Sequence, residues 1–178
     1  MKRTFAAIAA CMLLTVSAWA QMGAKPGAEV KKLDVFSGNW TTEGTIAQGP
    51  WGAGGKFTSN ETVKWMSGDF FLVTDGDYKM PAELGGDGKG YSVMGYDTDK
   101  NTYTMDSFNS GGQHEVAKGT LTGGDTWTWN STVTYGGQEI QQKTVIKIVS
   151  PTIYTMKLDI SLDGTNWMNF MEGKATRK

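Results

Sequence analysis

From Asn39 onward, apolar and polar residues alternate with a period of two, the rhythm of strands with one buried face. The alternation is sharpest late in the chain, where Trp127, Trp129, Val133 and Tyr135 oppose Thr126, Thr128, Asn130, Thr132 and Thr134. The next stretches set Ile140, Ile146 and Ile148 against Lys143 and Lys147, then Tyr154, Met156, Leu158 and Ile160 against Thr155, Lys157 and Asp159. Successive side chains of a strand point to opposite faces, so each stretch has a dry side and a wet side. Turn residues break the rhythm and predict ten strands: 39–47, 56–66, 69–78, 90–97, 101–109, 113–122, 126–135, 138–149, 152–161 and 166–177. Connections such as Ser67-Gly68, Gly123-Gly124-Asp125, Gly136-Gly137 and Asp163-Gly164 are too short for parallel crossovers, so the strands run antiparallel and up-and-down. Closing that sheet into a barrel hides the common apolar face and removes the exposed edges.

Before the alternation begins, Val30, Leu33 and Phe36 recur at helical spacing and predict one short helix, placed to act as a lid or plug. Further upstream the chain reads as an export signal: Lys2 and Arg3, an apolar run from Phe5 to Val16, and Ser17-Ala18-Trp19-Ala20 before Gln21. The run is shorter than the roughly 20 residues a membrane helix needs. The expected organisation is a signal peptide over 1–20, an extension with the short helix over 21–37, and a barrel domain over 38–178, in a periplasmic or secreted protein of a bacterium. A competing reading, lipoprotein processing at Cys11 after Ile8-Ala9-Ala10, leaves Met12-Leu13-Leu14 exposed at the new terminus.

Composition narrows the chemistry. The single cysteine is Cys11, so removal of the signal leaves no thiol for a disulfide, a nucleophile or a zinc site. All 24 glycines lie beyond the signal, in keeping with many tight turns. The formal net charge of −1 becomes more negative once Lys2 and Arg3 are lost, and no segment supplies the basic stripe that nucleic acid demands. An outer-membrane barrel would share the period of two, but the chain ends in Lys174-Ala175-Thr176-Arg177-Lys178 rather than in an aromatic residue, and its loops lack a long side and a short side. No membrane span is expected in the mature chain.

Phe36-Ser37-Gly38-Asn39-Trp40 resembles the Gly-x-Trp opening of lipocalin-like barrels. In that superfamily the tryptophan plugs the base and is covered by a basic residue of the last strand, which implies structural roles for Trp40 and Arg177. A longer series is similar to one bacterial family, domain of unknown function 1579: Gly38-Asn39-Trp40, Trp65 to Phe71, Gly95-Tyr96-Asp97, Met105-Asp106-Ser107 and Met171-Glu172-Gly173 through Arg177. Thr104 and Met105 stand where that family usually has a tryptophan before the aspartate. The resemblance implies a calycin-like barrel and brings no established activity.

His114 is the only histidine, which excludes a site of two or three histidines. No metal is expected and no cofactor. Haem-binding barrels of this kind carry their histidine near the chain end, where this chain has none. Asp97-Thr98-Asp99-Lys100-Asn101 mimics the start of a calcium loop, but Thr102 replaces the glycine and Phe108 the bidentate glutamate, so a hairpin turn is expected. Leu84 to Gly90 imitates a phosphate loop without the serine or threonine that holds magnesium, and reads as a rim loop. Asp106, Glu172 and Glu43 are candidate carboxylates inside the barrel, as acid or base in an apolar cavity, or else they satisfy buried hydroxyls or pair with Arg177. Trp65, Tyr96, Asp106, Trp127, Trp129 and Met156 are the candidate ligand-binding residues.

These features point first to a module that binds a small hydrophobic or amphipathic molecule in the barrel. The alternatives are a cavity-based enzyme of isomerase, lyase or hydrolase type using Asp106 and His114, and a ligand-free structural envelope protein.

Overall fold

The computed structural model describes residues 25–50 and 52–178. The signal-peptide reading lies outside the described residues. A short helix, α1 (Ala28–Lys32), runs into a 3-10 turn (Leu33–Phe36) and then into ten strands. These are β1 (Gly38–Ile46), β2 (Gly55–Trp65), β3 (Leu72–Lys79), β4 (Gly88–Asp97), β5 (Thr102–Asn109), β6 (His114–Thr122), β7 (Thr126–Tyr135), β8 (Gln138–Ser150), β9 (Ile153–Ser161) and β10 (Met168–Arg177). Each pairs antiparallel with its neighbours in sequence, and β10 pairs with β1 to close the barrel.

The apolar set faces inward. On β1 the buried residues are Trp40, Thr42 and Ile46, while Asn39, Glu43 and Thr45 are exposed. Lys56, Lys64, Lys118, Lys147 and Lys174 are likewise exposed on their strands, and the outer wall also carries Tyr91, Phe108, Val116 and Val149. No helix among the described residues is long and apolar enough to cross a membrane.

One end of the barrel is plugged. Val30, Leu33 and Phe36 bury the apolar face of α1 and its 3-10 turn, and Phe36 meets the ring edges of Trp127 and Tyr154 at centroid distances of 5.2 and 6.0 Å. Tyr103 donates to the Glu29 carboxylate at 2.8 Å, and Trp65 Nε1 donates to Asp34 at 2.8 Å, which tie the helical segment to β5 and β2. Trp40 Nε1 donates to the Phe36 carbonyl at 2.8 Å. The Arg177 guanidinium lies 4.7 Å from the Trp40 ring centre, with Nη2 donating to the Val35 carbonyl at 2.9 Å. Trp40 and Arg177 are register partners across the β1–β10 seam, so this stack sits where the sheet closes.

A second apolar group, Ile46, Phe57, Ile140 and Ile160, fills the opposite end on one side only. The Phe57 ring packs on β1 and β10 because Gly44 and Gly173 carry no side chain there. A Cβ at Gly44 would stand 2.5 Å from Phe57 Cε1 and 2.2 Å from the Glu172 carbonyl oxygen.

Three strand starts differ from the sequence reading by two residues or more. The β3 strand starts at Leu72 rather than Asp69, because Asp69 adopts φ 59° in the turn and Phe71 folds over Gly95. The β4 strand starts at Gly88 rather than Gly90, since Lys89 takes part in the ladder opposite Asp77. The β10 strand starts at Met168 because Asp163 accepts hydrogen bonds from the backbone amides of Thr165 and Asn166 and holds them in the loop. The would-be calcium loop is a turn in which Asp97 accepts from the Asp99 and Lys100 amides and pairs with the Lys100 ammonium at 2.7 Å. The would-be phosphate loop forms a 3-10 turn (Ala82–Leu84) followed by Gly85 and Gly86 at positive φ.

Candidate functional site

The plug fills only one half of the barrel, and above it lies a cavity of about 720 Å³. Phe36, Trp40 and Tyr154 form its floor, and Met94, Met105, Trp129 and Ile146 its lower wall. Higher up the wall turns polar, with Thr74, Tyr78, Ser92, Ser107, Asn109 and Thr144. The strand pattern explains the gradient. Along β5 the inward residues run Tyr103, Met105, Ser107, Asn109, and along β8 from the mouth down they run Gln142, Thr144, Ile146, Ile148.

Among the described residues, two carboxylates face into the cavity. Glu61 lies at mid-height on β2, between Trp40 on β1 and Gly76 on β3. Its burial pushes the carboxyl above the usual glutamate range, an effect only partly offset by a hydrogen bond from the Ser59 hydroxyl at 2.8 Å. A Cβ at Gly76 would come within 2.8 Å of Glu61 Cγ, so the missing side chain is what seats the glutamate. Tyr154 stands nearby, and its phenol is pushed well above the usual tyrosine range, first by burial and then by the charge of Glu61. Glu115, on the opposite wall, accepts from the Ser131 hydroxyl. Both cavity carboxylates were missed by reading the sequence for motifs. Glu61 had a signal, since it shares a period-two face with Phe57, Ser59, Val63 and Trp65.

The residues singled out from sequence are scattered by the fold. Trp129 lines the cavity. Trp127, two residues away on the same face, is 1% exposed and lies beneath the floor among Phe36 and Tyr103. Trp65 is held at the base by Asp34, and Tyr96 packs on Tyr103 at 4.9 Å while its hydroxyl bonds to Asn101, so neither reaches the cavity. Met156 faces inward between Ile146 and Gly173 but is not part of the lining.

Asp106 and His114 do meet, with His114 Nε2 3.2 Å from Asp106 Oδ1, but on the outside of the barrel. Both side chains are about half exposed, at 49% and 51%. Alternation decides it: Met105 and Ser107 face the cavity, so Asp106 and Phe108 face out, and His114 stacks on Phe108 at 4.6 Å. Phe108 and His114 reach the edge of the mouth. Glu43 and Glu172 are also corrected. They are exposed on the outer wall opposite Lys174 and Lys157, and Arg177 pairs with neither. Among the described residues, no three histidine, cysteine or acidic side chains gather as metal ligands would.

The proteins of unknown function grouped as DUF1579 match residues 25–177. The chain belongs to this family. No curated protein matches it. Two solved structures are similar to this DUF1579 barrel over nearly their whole length. One is an S-type phycobiliprotein lyase, CPES, from Guillardia theta, at 10% identity and TM-score 0.59, covering 85% of this chain and 93% of that one. The other is Rv2717c from M. tuberculosis, at 12% identity and TM-score 0.61, covering 86% and 99%. At these identities the likeness is one of fold, a calycin-like barrel.

Proposed function

We propose that this DUF1579 protein is an exported binding module that holds one small amphipathic molecule in its barrel. The observation that carries the reading is the cavity of about 720 Å³, apolar at its floor and hydroxylated toward its mouth. Ligand sites span roughly 300–1,000 Å³ and are mostly apolar with a few placed polar groups. A filled barrel of purely structural purpose would leave no such space. A cavity enzyme built on Asp106 and His114 is disfavoured, because that pair lies on the outer wall. Export rests on the signal-like segment 1–20.

The test is native mass spectrometry on protein purified from its own host, together with quenching of tryptophan fluorescence by a panel of lipids and pigments. A bound small molecule and saturable quenching that weakens at least tenfold in Thr144→Trp, which fills the cavity, are expected. A clean unliganded mass with no quenching by any member of the panel overturns the reading. Export is tested separately by cell fractionation and by the mass of the mature chain, which should begin at Gln21.

A further inference from the structure

The wall of the cavity is electrically one-sided. Among the described lining residues there is no lysine or arginine, whereas Glu61 and Glu115 both face in; Asp77 and His114 touch the lining only from the outward set of their strands. The lysines on the cavity strands β2, β4, β6 and β8, namely Lys56, Lys64, Lys89, Lys118, Lys143 and Lys147, belong to the opposite, outward set of their alternations. Lys143, for instance, lies over the Trp167 ring at 4.6 Å. Arg177, on the inward set of β10, is under the floor, stacked on Trp40 and bonded to the Val35 carbonyl.

From this asymmetry we infer that the cavity takes an amphiphile headed by an ammonium group, received by Glu61, and that it discriminates against carboxylate- and phosphate-headed molecules of the same length. The inference rests on the amphiphile reading above and names its chemical class.

Three features of the Glu61 surroundings support it. Ser59 donates to one carboxylate oxygen, Oε1, and among the described residues no other hydrogen bond holds the carboxylate. Trp40 is its cross-strand neighbour, and Tyr154 and Phe36 complete an aromatic floor of the kind that stabilises a cation through ring faces. Gly76 has no side chain, and the glutamate stem packs against the β3 backbone there, where a Cβ would come within 2.8 Å of Glu61 Cγ. A carboxylate-headed ligand would have to bring a second negative charge into this poorly hydrated region, where like charges repel most. An ammonium restores to Glu61 the stabilisation it loses by burial, and a charge-assisted hydrogen bond is about twice as strong as a neutral one.

The experiment compares octylammonium, octanol and octanoate, identical in tail and differing in head, by isothermal titration at pH 7.5 with the full mature chain. Octylammonium should bind at least tenfold more tightly than octanol, and octanoate most weakly. Glu61→Gln should bring the ammonium-to-octanol ratio to within about threefold, with folding of the variant checked by circular dichroism. Ser59→Ala, a milder change that strips the carboxylate of its one donor, should retain the ammonium preference, and reports on the site should Glu61→Gln unfold. Octanoate binding as tightly as octylammonium, or an unchanged ratio in a folded Glu61→Gln, overturns the inference and leaves the amphiphile reading standing. No binding of any of the three overturns both.

Discussion

Replacing Arg177 by methionine keeps an aliphatic stem but removes the guanidinium that lies 4.7 Å from the centre of the Trp40 ring. Two contributions vanish together. The bond from Nη2 to the Val35 carbonyl, at 2.9 Å, is of the charged type that contributes roughly 1.5–3 kcal/mol. Stacking of the cation on the indole adds roughly 0.5–2 kcal/mol. Removal of a half-buried charge also relieves its desolvation, so a net loss of about 2–3 kcal/mol is expected, below the plain sum. Urea unfolding followed by far-ultraviolet circular dichroism measures it. The stacking part is isolated by a double-mutant cycle with Trp40→Leu, for which a coupling of about 0.5–2 kcal/mol is expected. Because Trp40 and Arg177 face each other across the β1–β10 seam, the amide of Lys178, which donates to the Asn39 carbonyl at 2.8 Å, should also exchange its hydrogen faster in Arg177→Met. A loss below about 0.5 kcal/mol, or additivity of the two substitutions within about 0.3 kcal/mol, would refute the claim that the stack locks the seam.

Three other outcomes follow from the same geometry. Gly44→Ala should lower the thermal midpoint by the equivalent of about 1–3 kcal/mol, because its Cβ meets Phe57 and the Glu172 carbonyl; scanning calorimetry checks this, and an unchanged midpoint contradicts the packing. Glu61 binds its proton more tightly folded than unfolded, so the folded state holds more protons and stability should fall as pH rises from below the ordinary glutamate value through the raised one. Urea midpoints between pH 4 and pH 7 should therefore decline less in Glu61→Gln than in the parent, and an equal decline would remove Glu61 as the cause. Asp106→Ala should leave ligand-induced tryptophan quenching within about twofold of the parent, since its side chain points out of the barrel and does not line the cavity; a tenfold change would bring Asp106 into the site.

The closed barrel was legible because alternation is a local property. Each strand carries its own record of which residues avoid water, and glycine turns mark where it reverses, so ten antiparallel strands can be counted from the chain alone. The Trp40–Arg177 contact was anticipated through resemblance, and the register of β1 with β10 places the two side by side.

Height along the barrel axis was not legible. Trp127 and Trp129 share a face, a residue type and a strand, yet one lies beneath the floor and the other lines the cavity. What separates them is how far α1 and its 3-10 turn push into the barrel, which depends on contacts of Phe36 and Leu33 with strands distant in sequence. The same holds for charge. Asp106 drew attention through a motif but alternation turns it outward, while Glu61, in no motif, is carried inside by its register beside Gly76. A period of two tells which residues hide from water; only the closed, plugged barrel decides which of those still face an empty space that a ligand can enter.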